Sequence, residues 1–515
     1  MASFLRRTSM VFKIAFAIFL IYFAFRLFHY HYSLLAYPYP SALREGAMMI
    51  NTDALLHGLN PYDISLQPRY MNQYGIMFPL IACPWAKVFG NTMLVHRTII
   101  AFFIWASCSL VFLVNRRLEI PPLLNMWAVL MFYASLTYPG TSTPSIDPGS
   151  TGMFFMLLTV FIPWACRYSY PSLIISILIG LVAFYTKMYA FLGTLVILSF
   201  LFIFVSKRKA LFYGALLSVL TVLSIILANH LLPAYFDNTF FASANQAPTW
   251  SSMDRLHQQI SSYSHLHQWA LILIGLFILG LGIKKLRMRP WTLKEMPLLL
   301  ESIRQSDITL ILYAAICSIF VLYFSLGRHL GATLWYFFQL LSPYFLIATV
   351  WLFSRISWWP IVCVPFLILN LHTITADHDY KLFDNSVPGW PQIETLITQH
   401  QHILNSPIIA PLLIEQHKEV FDDGQSEFSI AGGQRNYWMK GIFKVDTRIL
   451  SQQLLFFQNI DYIVQNKGFD LIILEPSLLP FISADVEKYY KYEGQIMLYA
   501  PQDKKPYAVT AWKPL

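Results

Sequence analysis

VFKIAFAIFLIYFAFRLF, from Val11 to Phe28, is the run that decides the fold class. Only Lys13 and Arg26 interrupt its apolar character, and it follows Arg6 and Arg7. A secretory signal has an apolar region of roughly 7–15 residues and a small-x-small cleavage site behind it. This run is longer and no such site follows, so it reads as an uncleaved first span. A membrane helix needs about 20 mostly apolar residues. Ten further stretches have that character: 93–114, 122–138, 150–166, 173–186, 190–205, 211–230, 268–283, 308–326, 336–354 and 356–372. The fifth and sixth spans are short enough to form a shallow hairpin.

The connections agree with this count. Basic clusters stand at Arg6/Arg7/Lys13, Arg116/Arg117, Arg167, Lys207/Arg208/Lys209, Lys284 to Arg289, and Arg355. They fall in alternate connections, and Lys and Arg mark cytoplasmic loops. The opposite loops are 29–92, 139–149, 231–267 and 327–335, with a short turn near Lys187. An odd number of spans puts the N-terminus in the cytoplasm and residues 373–515 outside. The expectation is an α-helical polytopic membrane protein of about 11 spans over residues 1–372, followed by a small α/β domain over 373–515 on the outer side, which the family resemblance below makes periplasmic.

Composition supports this division. The chain has 515 residues, 56% hydrophobic and 12% charged, where a soluble domain carries about 25% charged residues. Residues 1–372 hold 24 Lys/Arg against 10 Asp/Glu, while 373–515 hold 12 against 17. The basic first part follows from loop topology, so the high pI is no argument for nucleic-acid binding. Cys83, Cys108, Cys166, Cys317 and Cys363 lie in or beside apolar stretches, without paired or metal-type spacing. They read as small buried hydrophobes. In the C-terminal part, 391–404 and 449–466 have helical patterns, and Asp470–Leu474 and Gln495–Tyr499 read as strands. No phosphate loop or nucleophile elbow occurs there.

Function belongs with the outer loops. Residues 29–92 far exceed a connector's needs; their pattern suits short interfacial helices, as does that of 231–267. Ionisable residues at membrane depth are functional candidates: Arg26, Asp147 in PSIDPG, Lys187 in AFYTKMY, and Arg328 and His329 in LGRHLGA. Glu45 follows the first span. Each also has a plainer reading. Arg26 can snorkel to headgroups, Asp147 can cap the next helix, Lys187 can bind any anionic lipid, and Glu45 can be a solvated loop acid.

Motif order adds weight. Arg44-Glu45-Gly46-Ala47, then Asp53 to Asp63 with Gly58-Leu59-Asn60-Pro61-Tyr62, resembles the first outer loop of the C-type membrane glycosyltransferases. The branch it most resembles includes the lipopolysaccharide-core galacturonosyltransferases, the Rgt-like family. Tyr74 to Leu80, Phe89-Gly90, Arg97, Asp147, Thr186-Lys187 and Gly327 to Tyr344 continue the resemblance in order over most of residues 10–350. Ile76 stands where proline is common, Ser145 where arginine often precedes the acid, and Gln339 where some relatives carry glutamate.

The resemblance implies an inverting transfer of a sugar from a polyprenyl phosphate on the outer face. The acceptor hydroxyl needs a carboxylate as general base. Glu45 is the first candidate, with Asp53 behind it. The leaving phosphate needs cationic stabilisation, for which Lys187, Arg328 and Arg97 are candidates. Tyr62, Tyr74 and His329 are candidates for the sugar or acceptor pocket. A divalent ion, Mg or Mn, could share the phosphate's charge, with Asp147 as its ligand. The implied partners are a polyprenyl-phosphate-linked sugar, a glycolipid, polysaccharide or protein acceptor, and membrane lipid, in a bacterial inner membrane. The main rival is a lipid or glycan transporter or flippase, although no internal repeat of the kind transporters show is present. A ligase or polymerase with a diphosphate-linked donor, or a non-catalytic scaffold, are the others.

Overall fold

The computed structural model describes residues 2–43, 45–66, 72, 74–138, 146–236, 238–239, 253–276, 307–326, 334–356, 358–377, 389–421, 459–476, 486–501 and 505–515. Arg328 and His329 lie outside the described residues, as do Arg44, Ser145 and most of the 139–149 loop.

Where they are described, the eleven expected spans lie mainly on helix, with non-helical residues at several ends and at Leu341. Among the described residues, five helices are long and apolar enough to cross a membrane: Arg7–Leu35, Met93–Arg117, Met188–Val205, Lys207–Leu231 and Trp359–Ala376. A sixth span arises if Leu334–Leu340 and Ser342–Ser354, bent by 54° at Leu341, are taken together. The helices Pro122–Leu136, Gly149–Ala165, Tyr170–Thr186 and Thr309–Phe324 are apolar but shorter. A 15-residue helix is about 22 Å long against a hydrocarbon core of about 30 Å.

Apolar side chains face outward as well as inward, which a soluble surface would not tolerate. Ile21 is 72% exposed and Leu211 76%. Helix ends follow local chemistry. Thr92 caps Met93–Arg117 by accepting the Val95 N–H, and Arg116 and Arg117 close its last turn, where cations suit the helix dipole. The first helix runs to Leu35, past the expected end at Phe28.

The long first loop contains the short helices its pattern suggested: Glu45–Leu56 and Met77–Phe89, with a 3-10 turn at Ile64–Leu66. In the second long loop, Met253–Leu266 is an amphipathic helix burying Leu256, Tyr263 and Leu266.

The C-terminal part carries a four-stranded sheet, β1 (Ile403–Asn405), β2 (Leu471–Leu474), β3 (Tyr490–Ala500) and β4 (Lys505–Pro514), in the order β1-β2-β4-β3. β1 and β2 are parallel; the other pairs are antiparallel. Both expected strands are present. The helix expected over 391–404 ends at Gln399, and Ile403 and Leu404 are strand. The expected domain boundary at 372 falls inside the helix Trp359–Asp377.

Side chains alternate across a strand, and both faces of β2 are buried. Ile472 and Leu474 join Leu404, Val464 and Phe469 in a core of the domain's own. Leu471 and Ile473 face the other way, into the core shared with the membrane helices. The sheet is thereby fixed against the membrane part. The segment Pro407–Glu415 packs on the helix Glu45–Leu56. A Cβ on Gly46 would come 2.6 Å from the Ala410 Cβ, so glycine sets that close approach.

Candidate functional site

Two clusters of charged residues stand near the outer loops. The first is built on Glu45, whose side chain is wholly buried. Its Oε1 accepts from Arg97 Nε at 2.9 Å, Ser41 Oγ at 3.0 Å and Ile146 N at 3.3 Å. Its Oε2 accepts from Arg97 Nη2 at 2.6 Å and Ser41 N at 2.7 Å. A carboxylate offers about four lone-pair sites, so none is left to receive a substrate proton. The base role expected for Glu45 does not suit this geometry. Arg97 is equally committed: it also donates to the carbonyls of Tyr37 and Tyr39, at 2.5 and 2.8 Å. A guanidinium that is 1% exposed with these partners has no face for a donor phosphate. The pair is a buried anchor joining Glu45–Leu56, Met93–Arg117 and the chain leading into Asp147.

The C-terminal part reaches the same anchor. Glu415 Oε1 accepts the Met93 N–H at 2.6 Å, at the start of the Arg97 helix. Burial raises the Glu415 carboxyl above its ordinary range, opposed by the Met93 N–H and by Arg97. Tyr39 stacks on Trp390 with ring centres 5.4 Å apart.

The second cluster is built on Lys187. The helix Tyr170–Thr186 stops there because the Lys187 backbone turns extended, and a 3-10 turn, Met188–Phe191, follows. The ammonium lies 3.5 Å from Asp147 Oδ1, 4.4 Å from the Tyr74 ring centre, 4.8 Å from that of Trp335 and 6.0 Å from that of Tyr189. These are cation–π distances. The Lys187 side chain is 12% exposed and that of Asp147 16%, so the pair is largely removed from solvent.

Each neighbour is itself held. Asp147 Oδ1 accepts the Gly149 N–H at 2.6 Å and so closes the start of Gly149–Ala165, in keeping with its capping reading. A Cβ on Gly149 would sit 2.2 Å from Trp335 and 2.8 Å from the Tyr189 hydroxyl, so only glycine lets them approach. Trp335 and Gln339 come from the short limb of the bent pair, Leu334–Leu340. The Tyr189 hydroxyl donates to Gln339 Oε1 at 2.6 Å, while Gln339 Nε2 is buried without a partner among the described residues.

Tyr74, expected to line the sugar or acceptor pocket, has its ring centre 4.4 Å from the Lys187 ammonium. Tyr62, expected beside it, is wholly buried and acts from behind. Its hydroxyl donates to the Tyr74 carbonyl at 2.7 Å and accepts from Asn72 Nδ2 at 2.9 Å. Tyr62 therefore positions Tyr74 rather than lining the pocket.

Asp53 is two helical turns from Glu45, about 12 Å along the axis. Its side chain is 22% exposed and lies 3.5 Å from His57 Nδ1. Leu55, on the same turn, packs with Tyr62, Ile76, Tyr185 and Tyr235, a cluster that includes the residue two before Lys187.

Among the described residues, no three His, Cys, Asp or Glu side chains converge to hold a metal ion. Asp147 has an ammonium beside it rather than a second carboxylate. The donor set described around Asp147 does not fit a divalent cation.

Two solved structures match almost the whole chain. Against "Crystal Structure of ArnT from Cupriavidus metallidurans in the apo state" the TM-score is 0.56 at 12% identity, covering 96% of this chain and 98% of that one. Against the same protein "bound to Undecaprenyl phosphate" it is 0.53 at 13% identity, covering 95% and 97%. The chain has the ArnT fold. At these identities the likeness is one of fold. No protein-family model and no curated protein matches the sequence. Trp335 and Tyr189 beside Lys187, and Glu415 beside the Arg97 helix, were not singled out by the sequence reading. The Thr186-Lys187 turn was the available pointer to Tyr189, and the Gly327 to Tyr344 segment contained Trp335 unremarked.

Proposed function

We propose that the protein is an inverting glycosyltransferase. It moves a sugar from a polyprenyl phosphate to a cell-envelope acceptor on the periplasmic face of a bacterial inner membrane. The observation that carries this reading is the Lys187 ammonium, walled by three aromatic rings and held by Asp147, in a fold shared with a protein solved with undecaprenyl phosphate. A cation with ring faces around it, in a nearly dry pocket, suits a phosphate attached to a sugar. The phosphate takes the charge, and rings can stack on the sugar.

Transfer forms a bond between the acceptor oxygen and the anomeric carbon and breaks the bond from that carbon to the phosphate oxygen. The electron pair leaves on the phosphate, where Lys187 offsets it. The acceptor proton goes to a carboxylate. Inversion places base and leaving group on opposite sides of the sugar; in inverting glycosidases the two acting carboxyls stand about 6.5–9.5 Å apart. Asp147, at 3.5 Å from Lys187, belongs with the leaving group. It positions the ammonium. Asp53, partly exposed on the first-loop helix, is the base this reading assigns.

In this reading the four shorter apolar helices and the span expected over 268–283, described as far as residue 276, complete eleven crossings, the N-terminus is cytoplasmic, and the sheet domain is periplasmic. The acceptor is a glycolipid, polysaccharide or protein. The bent pair Leu334–Leu340 and Ser342–Ser354 also suits a transporter, whose spans are often broken at the binding site. Chemistry separates the two. The purified protein in lipid is given polyprenyl-phosphate sugars and an envelope extract. Free polyprenyl phosphate together with a new glycoside supports transfer; donor crossing the bilayer intact supports the transporter.

A further inference from the structure

We propose that the protein carries an anionic-phospholipid site at the opposite end of the membrane from Lys187. One acyl chain lies between the helices Met188–Val205 and Lys207–Leu231, and the phosphate sits at Lys207 and Arg208.

A groove of about 710 Å³ runs between these consecutive helices. Leu198, Phe202 and Ile203 form one wall, and Ala210, Gly214 and Ala215 the other. The spacing within each set is that of one helix face. The segment Leu201–Val205 is π-helical, which widens the turn and accompanies outward placement of Phe202 and Ile203, 58% and 51% exposed. On the facing wall Ala210, Gly214 and Ala215 are small, with Leu211 beside them.

The groove is apolar along its length. The Ser199 and Ser218 hydroxyls donate to the Leu195 and Gly214 carbonyls one turn back, at 2.7 and 2.9 Å. Neither is left for a ligand, so the groove takes hydrocarbon.

Its mouth is cationic. Lys207 lines the groove with its ammonium 5.8 Å from the Phe202 ring centre, and Arg208 is exposed beside it. Among the described residues neither forms an ion pair, and the first turn of Lys207–Leu231 has no acid. Lys209 is spent on the Tyr168 carbonyl at 2.8 Å. An anion from outside the chain would balance this end, and the apolar groove beneath it selects one carrying a hydrocarbon chain. A zwitterionic headgroup would bring its own cation to the same place.

Geometry separates this site from the carrier lipid of the proposed reaction. Lys187 and Lys207 are 20 residues apart along one span, about 30 Å by helix rise. A carrier whose phosphate engages Lys187 cannot present the same phosphate to Lys207. The inference therefore stands without the proposed transfer.

Native mass spectrometry of the full-length protein in detergent tests it. Retention of phosphatidylglycerol is compared with phosphatidylcholine of identical chains, with glycerol phosphate as a head-only probe and polyprenyl phosphate as competitor. Phosphatidylglycerol should be retained about 30-fold better, the preference expected of two basic residues near a lipid surface. Glycerol phosphate alone should not be retained. Lys207→Gln with Arg208→Gln should erase the preference, and Ala215→Phe, which fills the groove at an exposed position, should reduce retention of both lipids. Equal retention of the two lipids by the wild type would overturn the proposal. So would a preference that survives both variants, or polyprenyl phosphate displacing phosphatidylglycerol from these residues.

Discussion

Glu45 Oε1 accepts the backbone N–H of Ile146, at 3.3 Å, and so ties the start of the first outer-loop helix to the residue preceding Asp147. Through that bond the Glu45–Arg97 pair bears on the Lys187 pocket without entering it. The C-terminal domain presses on the same helix through Ala410 and on the Arg97 helix through Glu415. Anchor, pocket and C-terminal domain form one connected structure.

Glu45→Gln should act first on stability. The substitution leaves a buried guanidinium without its charge partner, and breaking such a pair costs about 3–5 kcal/mol. Thermal unfolding in detergent should show a large loss, and Arg97→Met should show one of similar size. The double variant should lose less than the sum of the two. A Glu45→Gln protein as stable as the wild type would return Glu45 to the role of a reactive carboxylate.

Gly149→Ala should damage the pocket out of proportion to its size. The added methyl would displace Trp335 and the Tyr189 hydroxyl from either side of the ammonium. Trp335→Ala removes one ring outright, and a partly desolvated cation–π contact is worth roughly 0.5–2 kcal/mol. Weaker binding of a polyprenyl-phosphate sugar is expected in both, by up to about 30-fold for Trp335→Ala, with Trp335→Phe between it and the wild type. Unchanged binding in Gly149→Ala would mean that Trp335 does not belong to the donor site.

Glu415 gives a pH dependence with a definite sign. Its carboxyl is raised above the ordinary value of 4.5, chiefly by burial. Below the ordinary value the group is protonated whether or not the domain is docked, and burial carries no charge penalty. As pH rises through the raised value, the buried carboxylate must ionise and docking weakens. Protection of the Pro407–Glu415 segment from hydrogen exchange should therefore be greater in mild acid than at neutral pH. Glu415→Gln should flatten the dependence, because an amide oxygen can still accept the Met93 N–H.

Much of this architecture was legible in the sequence because hydropathy and loop charge report the membrane directly. The helices in the long first loop and the strands around Ile472 and Met497 were also readable from period alone. Side-chain roles were less so. Glu45 and Asp53 look alike as loop acids, and only the fold brings Arg97, 52 residues away, onto one of them. Tyr62 and Tyr74 share a motif, yet one is a buried support and the other a pocket wall. Lys187 stood out because a cation at a helix break near the membrane surface is costly. Trp335 did not, because an aromatic residue in an apolar helix has no distinguishing pattern.

The most direct test follows free polyprenyl phosphate by mass spectrometry for four proteins in lipid: wild type, Lys187→Gln, Asp53→Asn and Glu45→Gln. Each is given polyprenyl-phosphate sugars with envelope extract, and release is normalised to folded protein. Release by the wild type, little or none by folded Lys187→Gln and Asp53→Asn, and release by whatever Glu45→Gln protein remains folded is the expected result. Full release by Lys187→Gln, or an inactive but stable Glu45→Gln beside an active Asp53→Asn, would refute the roles assigned here.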